Sequence, residues 1–197
     1  MEVLAARNWP TNGHLIADVA KLGYLKAEWK TLDPTYGQGN WWTVWSPYDL
    51  VIHDKFSGPA FDGTDFRNMP HDDAEFQAVA FDPPYKLNGT DQGEGWRYGV
   101  SRPMDWKAKM QMIRDGITEC ERVLRKWGIL LVKCQDQVCS GKVRWQTIDF
   151  TNHAYACGLD LVDRFDYFGG YRPQPAGRNQ VHARGRGSTL LVFQKVK

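Results

Sequence analysis

Hydrophobic positions along the chain follow two spacings, and the alternation between them predicts the architecture. Leu15, Val19 and Leu22 recur at helical spacing and predict a helix over residues 14–25, with Thr11 and Asn12 ahead of it as caps. Trp106, Met110, Ile113, Ile117, Cys120 and Leu124 step by fours and threes, which makes one buried stripe on a helix over 103–127. Pro103 suits the first turn of that helix and Gly128 its end. A third helix is predicted over 145–157, stopped by Gly158. Between the helices lie short apolar runs at 29–32, 50–53, 76–81, 129–132, 159–168 and 189–193, which read as strands. Helices alternating with strands imply an α/β domain with a mostly parallel sheet covered on both faces. No helix separates the last two strands, so they should pair antiparallel.

Two stretches resist regular structure. Residues 86–102 carry Gly89, Gly93, Gly95 and Gly99, and residues 169–187 hold five glycines, two prolines and four arginines. Loops of this length are uncommon in compact domains unless they are functional or disordered. The second stretch also carries charge. From residue 164 to the end there are seven lysines and arginines against the single acid Asp166, although the whole chain is only +2. A basic end on an otherwise acidic body suggests a polyanionic partner.

At 197 residues, 42% hydrophobic and 24% charged, the chain is expected to form one soluble domain, residues 1–197, without a separate recognition domain. No apolar run approaches the length of a membrane span. The opening residues lack the basic flank and apolar core of a signal peptide, so a cytoplasmic location is expected. The four cysteines, Cys120, Cys134, Cys139 and Cys157, include no Cys-x-x-Cys pair, which predicts reduced thiols and no zinc site. His53, His153 and His182 form no recognisable constellation with nearby acids and are read as structural, and no metal centre is expected.

The chemistry concentrates at two strand ends. The run 76–81 leads into Asp82-Pro83-Pro84-Tyr85. In open α/β sheets, ligands bind at the carboxyl ends of the strands. The prolines lack N–H groups and restrict their neighbours to extended backbone, leaving a stiff loop that presents carbonyls and a carboxylate. Such a loop suits a planar amine, with acceptors for its N–H groups and a ring to stack on its face. Upstream, the first strand runs into Asp33-Pro34-Thr35-Tyr36-Gly37-Gln38-Gly39-Asn40, where Gly37 and Gly39 permit a tight turn ahead of a helix expected from Asn40. Asp54 follows 21 residues after Asp33, at the end of the next strand, where an acid commonly holds a ribose hydroxyl pair. Trp41, Trp42 and Trp45 are read as core residues of the expected helix.

With these two motifs the sequence resembles the S-adenosylmethionine-dependent amino-methyltransferases, especially DNA adenine-N6 methyltransferases. Asp33, Gly37 and Gly39 match their Asp-x-Phe-x-Gly-x-Gly cofactor motif, with Thr35 in place of phenylalanine, and Asp82, Pro83, Pro84 and Tyr85 match their catalytic motif in full. The motif order and compact length are similar to those of orphan enzymes carried by bacterial viruses, for which the location would be the host cytoplasm. The resemblance implies a Rossmann-like class I fold with a seven-stranded sheet and an antiparallel last strand. It implies S-adenosylmethionine as cofactor, held by Asp33, Thr35, Gly37, Gly39 and Asp54, with Asp65 and Phe66 around its adenine. It also implies DNA as partner, with the base flipped out and stacked on Tyr85. Arg172, Arg178, Arg184 and Arg186 are the expected phosphate contacts. An RNA base methyltransferase acting on guanine N2 or adenine N6, and a non-catalytic module binding cofactor or nucleic acid, are the alternatives.

Overall fold

A computed structural model describes residues 9–56, 58–87, 105–168, 181–182 and 187–196. Two stretches lie largely outside these residues: the glycine-rich segment after the Asp-Pro-Pro-Tyr loop and the arginine-rich segment before the last strand.

Among the described residues three helices, α1 (Asn12–Lys21), α2 (Trp106–Val123) and α3 (Gln146–Ala156), alternate with strands β1 (Lys30–Asp33), β2 (Asp49–Ile52), β3 (Phe76–Phe81), β4 (Leu124–Cys134), β7 (Leu159–Phe168) and β8 (Gly187–Lys195). These strands form one sheet in the order β2-β1-β3-β4-β8-β7. Pairings among β2, β1, β3 and β4 are parallel, and β8 runs antiparallel to both β4 and β7. The expected antiparallel pairing of the last two strands is therefore present.

The strand count differs from expectation: among the described residues the sheet has six strands, not seven. Beyond β2, at the sheet edge, the chain forms only isolated bridges, Asp54 with Phe61 and Asp65 with Asn68. That segment is rich in short side-chain-to-backbone turns at Asp54, Asp62 and Asp65, which compete with a strand ladder.

Both faces of the sheet are covered. On one, α2 and α3 bury Met110, Ile113, Ile117, Cys120 and Phe150 against Val79, Phe81, Leu130, Val132 and Phe193. On the other, Leu15, Ile16 and Val19 of α1 pack with Trp41 on Ala78, Ala80, Ile129, Leu131 and Val192. The alternation along β3 and β4 thus sends even-numbered residues of one strand and odd-numbered residues of the other to the α1 face.

Three local readings are corrected. No helix forms after the glycine turn: residues 40–44 make turns and bends. Trp41 and Trp42 each have a polar appointment there, described below, which a regular helix would not have allowed both to keep. The long helix ends at Val123 rather than at Gly128, because Leu124 already pairs with Phe76, and a register shift absorbs the residues before Ile129 pairs with Ala78. A two-stranded hairpin, β5 (Gln137–Cys139) and β6 (Lys142–Arg144), was not expected; Ser140 and Gly141 turn it with φ of 51° and 73°. All four cysteines are free thiols, as expected. No helix among the described residues is long and apolar enough to cross a membrane.

Candidate active site

The two sequence motifs meet at the carboxyl edge of the sheet, on the α1 face. β1 ends on Asp33, and β3 runs out one residue before Asp82. Thr35 joins them: its N–H donates to Asp33 Oδ1 at 3.0 Å, and its hydroxyl accepts the Asp82 N–H at 2.8 Å. A phenylalanine at this position would lack the hydroxyl that makes the second bond.

Asp33 is only 4% exposed. The Trp42 indole N–H donates to its Oδ2 at 2.7 Å, and the neighbouring Trp41 indole donates to Asp82 Oδ2 at 2.9 Å. Successive tryptophans thus each hold one oxygen of one site carboxylate. They bond these carboxylates as well as packing, a role their hydrophobicity in the sequence did not show. Burial pushes the Asp33 carboxyl up to about 7 against the opposing Trp42 and Thr35 bonds, with the negative charge of Asp82 adding to the rise. Burial also raises the Asp82 carboxyl, opposed by the positive charge of Lys133 and by the Trp41 bond.

The glycine turn is held from the next strand. His53 N–H donates to Asp33 C=O at 2.9 Å, and Tyr36 N–H donates to His53 C=O at 3.1 Å. Gly37 and Gly39 have φ of 54° and 70°, the left-handed region that favours glycine. Asp54 lies two residues past β2 and braces the turn: its Oδ2 accepts the Gly37 N–H at 2.9 Å and its Oδ1 accepts the Phe56 N–H at 2.9 Å. The segment beyond folds back onto the turn so closely that a Cβ at Gly58 would stand 2.0 Å from the Gly37 carbonyl oxygen.

Asp65 and Phe66 lie farther along this segment. Asp65 pairs with Arg67 and Lys55 at 2.6 Å each, and the Arg67 bond leads in holding its carboxyl well below the usual range. Phe66 is buried with its ring edge-on to Phe81, centroids 5.1 Å apart. His53 has more partners than its structural reading supplied: Nδ1 bonds Asp62, and Nε2 lies 2.8 Å from His71 Nε2. Among the described residues no group of three or more histidines, cysteines and acids is placed to hold a metal ion.

The Asp-Pro-Pro-Tyr loop is stiff for reasons beyond its prolines. Tyr85 N–H closes a tight turn onto Pro83 C=O at 2.7 Å, and the Tyr85 carbonyl accepts amide N–H groups from Gln137 at 2.9 Å and Gln146 at 2.7 Å. Gln137 also accepts the Leu87 N–H at 3.0 Å. These glutamines were missed in the sequence, where nothing in their immediate context marks them. The Tyr85 ring is half-buried against the core of the α2–α3 face. Arg172, Arg178, Arg184 and Arg186, the expected phosphate contacts, lie outside the described residues.

The donor set at this edge consists of three carboxylates, Asp33, Asp54 and Asp82, around a glycine turn. Its chemistry fits a ligand that carries positive charge and hydroxyl groups.

No protein-family model and no curated protein sequence matches the chain. Solved structures do. A protein of Bacillus halodurans C-125 assigned as a methyltransferase is 14% identical with a TM-score of 0.58, over 92% of this chain and 99% of that one. The Haloferax volcanii protein solved with the Trm112 methyltransferase activator is 14% identical with a TM-score of 0.59, over 97% and 90%. The Burkholderia thailandensis 1,6-didemethyltoxoflavin-N1-methyltransferase, solved with S-adenosylhomocysteine, is 10% identical with a TM-score of 0.54, over 94% and 79%. A Thermus thermophilus protein assigned as a DNA modification methylase is 19% identical with a TM-score of 0.48 over 68% of this chain, which spans about half, 54%, of that protein's length. The chain has the Rossmann-like class I methyltransferase fold.

Proposed function

We propose that the protein transfers a methyl group from S-adenosylmethionine to the exocyclic amine of a base in DNA, adenine N6 foremost. The observation that carries this reading is the Thr35 link, which brings the glycine turn of β1 and the proline hook after β3 to one edge of the sheet. Asp33, Thr35, Gly37, Gly39 and Asp54 would hold the cofactor, with Asp65 and Phe66 toward its adenine. The cofactor would supply an electrophilic methyl on a sulfonium.

The chain's own residues do the remainder. An exocyclic amine is a poor nucleophile because its lone pair is delocalised into the ring. Trp41 occupies Asp82 Oδ2, so Oδ1 is the oxygen offered to one amine N–H. The Pro83 carbonyl, which has a second lone pair beside its bond to Tyr85 N–H, accepts the other. Two acceptors on one nitrogen favour a pyramidal geometry with a localised lone pair. The acceleration comes from position and charge, with no covalent bond to the protein. Tyr85 offers a stacking face for the flipped base, and Arg172, Arg178, Arg184 and Arg186 neutralise phosphates on this reading.

The test is transfer of labelled methyl from S-adenosylmethionine to DNA and RNA offered side by side, with cofactor binding followed by calorimetry. Labelling of DNA at adenine N6, lost in Asp82→Ala with cofactor binding retained, is the expected result. Labelling confined to RNA would replace the DNA reading. Absence of cofactor binding would overturn the enzyme reading altogether.

A further inference from the structure

Among the described residues, Lys133 is the sole fully buried cation, at 3% exposure, and Asp33 the most deeply buried acid, with Asp82 partly buried beside it. A lysine with so little access to water needs a compensating partner. Its place in the sheet identifies one. β3 and β4 are in parallel register through Phe81 with Val132, so the next step sets Asp82 beside Lys133. Ala78, Ala80, Ile129 and Leu131 lie on the α1 face, and by alternation Asp82 and Lys133 continue that row.

The ammonium is not spent on the carboxylate. Lys133 Nζ donates to Asn12 Oδ1 of α1 at 2.6 Å and lies 5.8 Å from the Trp41 ring and 5.6 Å from the Tyr167 ring of β7. Burial lowers the Lys133 ammonium from its ordinary value, and the negative charge of Asp82 opposes that through space. The groups facing Asp82 are therefore Asp33 from β1, Lys133 from β4, the Trp41 indole and the Thr35 hydroxyl. Those facing Lys133 are Asp82, Asn12, Trp41 and Tyr167. A direct salt bridge would occupy the oxygen that the amine requires, whereas an ammonium held away by an amide supplies its field and leaves that oxygen open.

Resting on the proposed reaction, we infer that Lys133 is a positioning residue for methyl transfer: anchored by Asn12, it favours the ionised form of Asp82 without covering the oxygen that accepts the target amine. Asp33 works against it, because two carboxylates at one edge oppose each other's ionisation. Lys133 is the counterweight that lets Asp82 be the charged member.

The experiment follows the Trp41 indole N–H, which reports on Asp82 directly, by NMR across pH in the native protein, Lys133→Met, Lys133→Arg and Asn12→Ala. Native protein and Lys133→Arg should titrate alike. Lys133→Met should move the Asp82 titration upward by about 1–3 pH units, the scale expected for loss of a nearby opposite charge. Asn12→Ala, which frees the ammonium to close on Asp82, should move it downward. In the transfer assay, Lys133→Met should shift the acid limb of the rate profile upward and lower kcat, with KM for the cofactor unchanged. Superimposable titrations in the native protein and Lys133→Met would overturn the inference, as would shifts of the same sign in Lys133→Met and Asn12→Ala. The indole titration needs no substrate, so failure of all nucleic acids to accept methyl would refute the proposed function and leave the role of Lys133 to be decided separately.

Discussion

On the α2–α3 face, β3 presents Val79 and Phe81 and β4 presents Leu130 and Val132, all fully buried, to Ile113, Ile117 and Phe150. On the α1 face the same two strands begin as apolar with Ala78, Ala80, Ile129 and Leu131, and the row then meets charge at Asp82, one residue past β3, and at Lys133. One face is a dry core along its whole length; the other is a core that ends in charge. The difference shows how a small fold builds a charged edge onto an apolar core. The apolar residues behind it hold the local dielectric low, so each carboxylate there depends on a few aimed donors rather than on water. Trp41, Trp42 and Thr35 are those donors. The cost is visible in the raised Asp33 and Asp82 carboxyls.

The sharpest break of this contrast is Asp82→Asn, which keeps size but removes charge. Methyl transfer should fall by about 10²–10³-fold, the usual scale for losing one aimed electrostatic partner, and the melting temperature should fall with it, because Lys133 loses its compensating charge. Asp33 supplies the second test. Its folded-state value of about 7 lies above the ordinary carboxyl value near 3.9, so the folded protein holds the proton more tightly than the unfolded chain does. That contribution is fully present below about pH 4 and is lost as pH rises through 7. Stability should therefore decline from about pH 4 to about pH 7 by up to roughly 4 kcal/mol from this group, at about 1.36 kcal/mol per unit. Urea unfolding across pH should show a shallower slope in Asp33→Asn.

On the opposite face, Ile117→Ala should cost about 3 kcal/mol by denaturant midpoint, within the range for deleting a fully buried aliphatic side chain, and leave cofactor affinity unchanged. A loss of cofactor affinity there would erase the distinction between the two faces. The smallest effect is expected for Thr35→Val, which leaves the Asp82 N–H without its acceptor. A destabilisation of about 2 kcal/mol should accompany a lower kcat, measured by urea unfolding and by methyl transfer.

The sequence was most legible where one signal dominated. The run 76–81 matches β3 residue for residue, and the stripe from Met110 to Cys120 faces the core as its spacing required. The spacing of Asp33, the glycines and Asp54 was also legible, because a strand-turn geometry confines those residues to one edge. The tryptophans were not. Trp41 and Trp42 suggest a helix face by hydrophobicity, yet their indole N–H groups are claimed by two carboxylates that only the folded sheet brings near. Lys133 was hidden likewise: one lysine ending an apolar run looks like the exit to solvent until β8 and α1 close over it. The hairpin at Ser140-Gly141 did carry a turn signature, a two-residue glycine loop between two three-residue runs each centred on a valine, and could have been recognised. The missing edge strand reflects local competition, since Asp54, Asp62 and Asp65 each bind backbone two residues on.

The Tyr85 carbonyl has a bearing on how the molecule is assembled. Both amides that grip it come from far downstream, Gln137 and Gln146, separated from it by 52 and 61 positions. As the chain emerges during synthesis, β1 and β3 can meet long before either glutamine exists. The glycine turn and its Thr35 link need nothing downstream of Asp82, whereas the Asp-Pro-Pro-Tyr loop acquires its final geometry only once Gln137 and Gln146 are in place. A truncation after β4 should accordingly retain the hook's sequence but lose its aim.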